Sequence, residues 1–407
     1  MSARRVVITG IGVITPIGTG KDTFWTALLA GTSGIGPVTS FDSTGYAAHI
    51  GGEVRDFDAK CHVKKQQPNR MGRASQMAIG AARLALADSD LDLDSIPRRR
   101  AGVSMGTTSG EPIFVEEYND AKRKGGEEAV TADCLALYPC HVIPSHVAIE
   151  FDLRGPSLMI PTACAAGNYA IGYGSDLIRM GRADVMLAGG ADAFSRIPYL
   201  GFARLGAIAP ERCQPFDKNR KGMVPGEGSG MLVLETLDGA LARGAKVYAE
   251  ILGYGVSCDA HHMTAAHPQA DGAIRAMSAA MKDSGRGVRD IDYISAHGTG
   301  TPTNDRIESL AVRTLFAEYA TKVPMSSIKS MLGHTMGAAS AIEAAACALA
   351  IDTGWIPPTI NHEEADPECG LDIVPNEARR VDPRVVLNNA YAFGGNNASL
   401  CLGRYGD

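Results

Sequence analysis

Residues 157–174 read Ser-Leu-Met-Ile-Pro-Thr-Ala-Cys-Ala-Ala-Gly-Asn-Tyr-Ala-Ile-Gly-Tyr-Gly. A short apolar β-run, 157–160, breaks at Pro161 and passes through Thr162 and Ala163 into a helical pattern that starts near Cys164. The same grammar recurs along the chain. Strands are expected at 5–11, 102–105, 157–160, 184–188, 231–235 and 247–254, with a second series at 293–296, 325–327, 385–390 and 399–402. Helical patterns cover 71–87, 168–180, 272–284, 305–316 and 336–351. Such alternation is the signature of an α/β protein. No low-complexity linker divides the chain, but the strand series restarts near residue 250. The expected halves are 1–250, which carries Cys164, and 251–407, which carries His297 and His334.

Composition narrows the class. The 407 residues are 45% hydrophobic and 21% charged, the balance of a soluble globular chain of two or three domains' worth of core. A net charge of −6 argues against general nucleic-acid binding. Nine cysteines form no Cys-x-x-Cys pair, and an odd count suits free thiols in a reducing compartment. No apolar run approaches the roughly 18 residues of a membrane span. The N-terminal apolar stretch is interrupted by Gly10, Gly12 and Pro16 and lacks a cleavage site, so a buried first strand ending in a glycine turn is expected, in a cytoplasmic protein. Glycine is in excess, 47 of 407 or about 12% against a usual 7% or so. Neither glycine cluster near the N-terminus carries a nucleotide signature: the third glycine of a dinucleotide fingerprint would fall on Thr15, and Gly18-Thr-Gly20-Lys21 is followed by Asp22 where a Walker motif needs Ser or Thr.

Three residues can do chemistry. Cys164, at the start of a helix, would feel the positive end of the macrodipole, which favours the thiolate and makes a nucleophile. A buried structural cysteine is the commoner fate of the residue type. His297, in Ile-Ser-Ala-His-Gly-Thr-Gly-Thr, and His334, in Met-Leu-Gly-His-Thr-Met-Gly, also stand between a strand and a helix. Sites in open α/β sheets are built at the carboxyl ends of strands, so the three converge plausibly on one centre. A thiol accepts an acyl group as a thioester, and two neutral imidazoles can donate to a carbonyl on which enolate charge develops. The combination fits acyl transfer to sulfur followed by decarboxylative carbon–carbon bond formation. His261, His262 and His267 are the competing metal ligands, but they lack the His-x-x-x-His helical spacing with a nearby glutamate, and no metal is expected.

The motifs TACAAG (162–167), PFDKNRKGMVPGEGSGMLVLE (215–235), AHGTGTPTNDRIE (296–308), SSIKSMLGHTMGAAS (326–340) and AFGGNNAS (392–399) together resemble the β-ketoacyl-[acyl-carrier-protein] synthases of the synthase II subgroup, nearly end to end. That resemblance implies a thiolase-like, five-layered αβαβα fold of two related halves, and a dimer. It implies that Cys164 accepts the acyl chain and that His297 and His334 hold the malonyl thioester oxygen. Lys329 matches the family's active-site lysine, Glu308 and Asp305 its acidic residues, and Thr299 and Thr301 the threonines that contact the pantetheine arm. Phe393 matches the gating phenylalanine whose backbone N–H joins that of Cys164 as an oxyanion hole. The implied partner is acyl carrier protein, with substrates carried on its phosphopantetheine arm and no separate cofactor. The second subunit would be an identical chain or a chain-length factor, and neither nucleic acid nor membrane is implied.

Close relatives separate on these positions. A degradative thiolase would use a second cysteine; Cys401 mimics its pattern but falls in an expected terminal strand. A synthase III type would show Asn at position 334, and a chain-length factor would lack Cys164. Three departures bear on substrate. Ala392 stands where synthase II usually has glycine, so the gate is expected to move less freely. Ser109 stands at the position resembling the pocket-bottom isoleucine, and Glu111 close by is unusual for a saturated acyl chain. A ketosynthase subunit of a type II polyketide synthase, including a polyene-forming one, therefore remains the alternative to fatty-acid elongation. A carrier protein is acidic, so a basic docking surface is expected, with Lys64, Lys65 and Arg204 as candidates.

Overall fold

The first strand, β1 (Val6–Thr15), is buried along its whole length and runs through Gly10 and Gly12 instead of turning there. Those glycines serve close packing. A Cβ on Gly10 would lie 2.2 Å from the carbonyl oxygen of Ala85, and one on Gly12 would lie 1.9 Å from that of Ala81. Both carbonyls belong to α1 (Arg73–Ser89), which lies directly on the strand. The computed structural model describes residues 4–131 and 133–406.

Besides the two-residue strand Gly18–Thr19 paired with β1, nine further strands complete the eleven-stranded sheet: β2 (Ala101–Gly106), β3 (Ser157–Ile160), β4 (Val185–Asp192), β5 (Gly228–Thr236), β6 (Ala249–Cys258), β7 (Tyr293–Ser295), β8 (Met325–Ser326), β9 (Val385–Tyr391) and β10 (Asn396–Gly403). Their spatial order is β8-β7-β9-β10-β6-β1-β5-β4-β2-β3. Counted within each half, β1 to β5 and β6 to β10 follow the same order, third-second-fourth-fifth-first. The central pairs β2–β3, β2–β4, β7–β8 and β7–β9 are parallel. The two sets meet where β1 pairs antiparallel with β6 at Val7–Glu250 and Ile8–Ala249.

Strand alternation builds the layers. Met186, Ala188, Leu232 and Leu234 face a central core, whereas Val185, Leu187, Met231 and Val233 face α1. In the second half Val386, Leu400 and Leu402 face the same central core, while Val385, Leu387 and Cys401 face an outer one. Two helices, α2 (Ala166–Arg179) and α5 (Ala339–Thr353), contact each other and strands of both halves. The outer core of the second half is covered by α3 (Asp271–Ser284) and α4 (Pro302–Phe316). Outer helices, sheet, paired central helices, sheet and outer helices make the five-layered αβαβα thiolase fold. α5 is buried from Ala339 to Ile351 and apolar there but for Ser340 and Glu343, as suits a helix packed on all sides. Residues 336–353 are long and apolar enough to cross a membrane, yet 89% of that window is buried inside the protein.

Helices at Pro112–Gly125, Val142–Phe151 and Arg196–Arg204 add to those expected. Cys401 packs in β10, as expected of it.

Candidate active site

Cys164 and His334 occupy corresponding places in the two halves. Each follows the third strand of its set and precedes a central helix, through a short 3₁₀ turn next to a residue of positive φ: Ala163 at 52° and Met336 at 52°. His297 follows β7, the second strand of its set. Ring or sulfur ligand atoms of Cys164, His297 and His334 all lie within 4.8 Å of one another, so the three residues singled out in the sequence do converge. His334 Nε2 is 3.0 Å from Cys164 Sγ, and the two imidazole rings are 5.4 Å apart at 81°. They stand in the wall of one cavity, together with Thr299, Thr301 and Phe393.

The environment leaves all three groups neutral at rest. Burial holds both histidines well below the usual imidazole range, helped by the charge of Lys329 nearby. Burial also pushes the Cys164 thiol up to about 12, and Lys329 only partly opposes it. The expectation of a thiolate stabilised by the helix terminus is therefore corrected. The sulfur sits in the 3₁₀ turn Ala163–Ala165 ahead of the helix, in a desolvated pocket where an uncompensated negative charge is costly.

Second-layer contacts fix the geometry. The backbone N–H of Met336 donates to His334 Nδ1 at 3.1 Å, so in the neutral ring the proton lies on Nε2, facing the sulfur. The three side chains have the spread of a metal site, but with the Met336 N–H on Nδ1 the His334 Nε2 keeps its proton and is not a free ligand. Glu308 is buried and accepts the N–H groups of His297 and Gly298, each at 2.8 Å. Its contact is with the loop backbone and not with an imidazole. Burial raises it to about 7. Asp305 accepts the N–H groups of Phe216, Thr299 and Gly300 at 2.8, 3.1 and 3.2 Å. The hydroxyls of Thr299 and Thr301 are 2.9 Å apart, and both residues line the cavity. Lys329 is buried and pairs with Glu343, whose carboxyl is pushed up to about 7 by burial against the pull of Lys329.

Glu343 and Asp192 were missed from the sequence. The only charged residue between Ala339 and Ile351 signals that something must pair with it, and that residue is Glu343. Asp192 ends β4 and accepts from the Thr107 hydroxyl and from the N–H groups of Thr108, Ser109 and Gly337, tying the loop after β2 to the loop after His334.

Other expectations divide. Phe393 lines the cavity at 40% exposure, with its ring 5.8 Å from that of Phe202. Ala392 has φ −130°, an extended conformation open to any residue, and packs with Ala165, Ala390 and Ala398. The left-handed conformations in this segment are those of Gly394 and Gly395, at φ 82° and 75°. Ser109 is held by Asp192 and is not among the residues lining the cavity. Glu111 is buried and accepts from Ala74 and Ser75 at 3.3 and 2.7 Å, so it serves the N-terminus of α1 instead of an acyl pocket. Arg204 is exposed at the end of the helix Arg196–Arg204, two residues beyond Phe202, which lines the cavity. Lys64 and Lys65 are exposed on a segment whose amides bind Glu150, away from the cavity lining. His261, His262 and His267 are exposed or half-buried on the loop beside the mouth, with the first and last rings 5.1 Å apart.

A buried cysteine flanked by two neutral imidazoles at the seam of a repeated αβαβα fold defines a thiolase-fold condensing enzyme, an acyltransferase. The chain belongs to the β-ketoacyl synthase family: the profile "Beta-ketoacyl synthase, N-terminal domain" matches residues 3–240 and "Beta-ketoacyl synthase, C-terminal domain" matches residues 248–363. The 3-oxoacyl-[acyl-carrier-protein] synthase 2 of Synechocystis sp. is 40% identical over 412 residues, covering 100% of this chain and 99% of the relative. A chain of the structure of the ishigamide ketosynthase/chain length factor superimposes with a TM-score of 0.96 and 46% identity, covering 100% of each chain. A chain of AntDE:AntF, a type II polyketide acyl-carrier protein in complex with its ketosynthase bound to the hexaketide, gives 0.92 and 32%, covering 99% of each.

Proposed function

We propose that this chain elongates an acyl thioester by decarboxylative Claisen condensation with malonyl-acyl carrier protein, giving the 3-oxoacyl product as in fatty-acid synthesis. The convergence of Cys164, His297 and His334 within 4.8 Å carries the reading. The sulfur attacks the incoming thioester carbonyl, the carbonyl carbon–carrier sulfur bond breaks, and the Cys164 thiol proton ends on the departing carrier sulfur, leaving S-acyl Cys164. The malonyl group then loses CO₂, and the enolate oxygen is held by N–H groups of His297 and His334. The enolate carbon attacks the S-acyl carbonyl, the carbon–sulfur bond to Cys164 breaks, and Cys164 leaves as the thiol with the one proton that the condensation takes up from solvent.

Burial keeps both imidazoles neutral, and the charge of Lys329, paired with Glu343, adds to it. Glu308 and Asp305 hold the His297–Gly300 backbone, and Thr299 and Thr301 face the pantetheine arm. Phe393 gates the cavity and supplies its backbone N–H, with that of Cys164, to the oxyanion. Arg204, Lys64 and Lys65, all exposed, are the proposed docking residues for an acidic carrier. Ser109, held by Asp192, would touch an acyl chain only beyond the cavity lining. Substrates arrive on the phosphopantetheine arm, with no other cofactor and no metal, and the protein works in the cytoplasm. The division at residue 250 is supported by the repeated strand order, whose second set begins at Ala249.

Mass spectrometry tests this reading. Acyl- and malonyl-loaded carrier protein should give 3-oxoacyl-carrier protein and CO₂, with an acyl mass on Cys164; the absence of both product and acyl-Cys164 overturns it.

A second reading, the ketosynthase subunit of a type II polyketide synthase, is favoured by the 46% identity to a chain of the ishigamide ketosynthase/chain length factor, above the 40% to the synthase 2 of Synechocystis sp.. Co-expression decides: a homodimer supports fatty-acid elongation, whereas a heterodimer with a cysteine-less sister chain supports the polyketide reading.

A further inference from the structure

The two histidines differ in one respect. At His334, the N–H of Met336 occupies Nδ1 and leaves the proton on Nε2. At His297, Nδ1 is buried and has no hydrogen-bond partner among the described residues. A neutral imidazole carries its single proton on whichever nitrogen the surroundings favour, and a donor at one nitrogen places that proton on the other.

One neighbour can supply the missing donor. The Tyr391 hydroxyl is buried and likewise has no partner among the described residues. Its ring stands 5.8 Å from that of His297 at 68°, and both residues line the same cavity. A buried phenol and a buried ring nitrogen, each unpaired, are costly apart and compatible together. We propose that Tyr391 is the positioning residue for His297: its hydroxyl donates to Nδ1, directly or through one bridging water, and so keeps the proton on Nε2. The inference rests on the reading that His297 holds the malonyl thioester oxygen. Tyr391 then does for His297 what the Met336 amide does for His334, and both rings present an N–H to the developing enolate. Glu308 is the rival acceptor, because the Tyr391 hydroxyl feels its charge and that of Asp259. Each Glu308 oxygen already takes one amide N–H, from His297 and from Gly298.

The test is Tyr391→Phe in the full chain labelled with ¹⁵N-histidine, with the His297 signals assigned by difference against His297→Gln. The wild-type ring should show the Nε2–H tautomer, and Tyr391→Phe should shift it towards Nδ1–H. Turnover of malonyl decarboxylation should fall about tenfold, a fraction of the loss of an oxyanion donor, with KM little changed and acyl loading of Cys164 intact. An unchanged tautomer with unchanged decarboxylation overturns the proposal and leaves the hydroxyl to Glu308. Parallel loss of both half-reactions with a lowered Tm overturns it too, as a packing role. If Tyr391→Phe fails to fold, 3-fluorotyrosine at 391, a stronger donor of the same shape, should move the His297 nitrogen shifts in the opposite direction; no movement overturns the proposal. Should the wild-type protein not decarboxylate malonyl thioesters at all, the proposed function fails, while the nitrogen spectrum still decides the tyrosine.

Discussion

The backbone N–H of Met336 reaches back to the ring of His334, two residues earlier, and at 3.1 Å fixes which nitrogen of that ring carries the proton. The constraint is local, since Met336 holds φ at 52°, a conformation that a side chain of its type rarely adopts. The His334 ring therefore faces the sulfur as a donor and not as an acceptor.

His334 variants should separate donor from base. His334→Ala is expected to lower malonyl decarboxylation about 10²- to 10³-fold, the usual loss for one oxyanion donor. His334→Asn keeps an N–H near the same place and should retain more of the rate. Stopped-flow CO₂ release with acyl-loaded enzyme measures both; equal losses would point to a proton-transfer role for the ring.

The thiol should behave as a deeply protonated one. With Cys164 pushed up to about 12 by burial, thiolate content at neutral pH is small and grows as pH rises. Alkylation of Cys164 by iodoacetamide, followed by peptide mass spectrometry, should rise about tenfold per pH unit from 7 to 10 without a plateau, as expected for a group titrating above that range. A plateau below pH 8 would show that the thiolate is stabilised in the free enzyme.

Lys329 and Glu343 should prove coupled. Lys329→Met leaves a buried carboxylate without its cation and should cost about 3–5 kcal/mol of stability, as breaking buried pairs does. Adding Glu343→Gln should recover part of that loss, which a thermal-melt double-mutant cycle would reveal.

Glu111 gives the fold a pH dependence of its own. Burial raises its pKa from 4.5 to about 7, so between those values the native state holds a proton that the unfolded chain has released. Stability from this group is full below the lower value and is lost as pH rises through the upper one. In Glu111→Gln the decline in Tm from pH 5 to 7.5 should be shallower than in the wild type.

Gly12→Ala should be among the most damaging small changes. Its Cβ would meet the Ala81 carbonyl at 1.9 Å, and a helix backbone cannot step aside as a side chain can. A loss of about 3 kcal/mol or more, or failure to accumulate folded protein, is expected.

Much of this was legible in the sequence because strand and helix periods are written in apolar residues. The short apolar runs at 184–188 and 231–235 mark buried strands, and 339–351, apolar but for Ser340 and Glu343, marks a central helix. Cys164, His297 and His334 were legible because each interrupts a strand-to-helix passage. What escaped depends on contacts between distant segments. Gly10 and Gly12 read as a turn because α1, the surface that demands them, starts some sixty residues later. Glu111 read as a pocket residue because its neighbours at Ala74 and Ser75 are separated from it in sequence. The protonation of Cys164 escaped because a helix start is visible in a sequence and desolvation is not.

The repeated strand order has a consequence for the newly made chain. The nucleophile comes with the first five strands, and both of its histidines come with the second five. A chain halted before Tyr293 would hold a sulfur with neither imidazole beside it. Assembly is thus its own safety catch: the cell meets the condensing chemistry only after the last strands have docked.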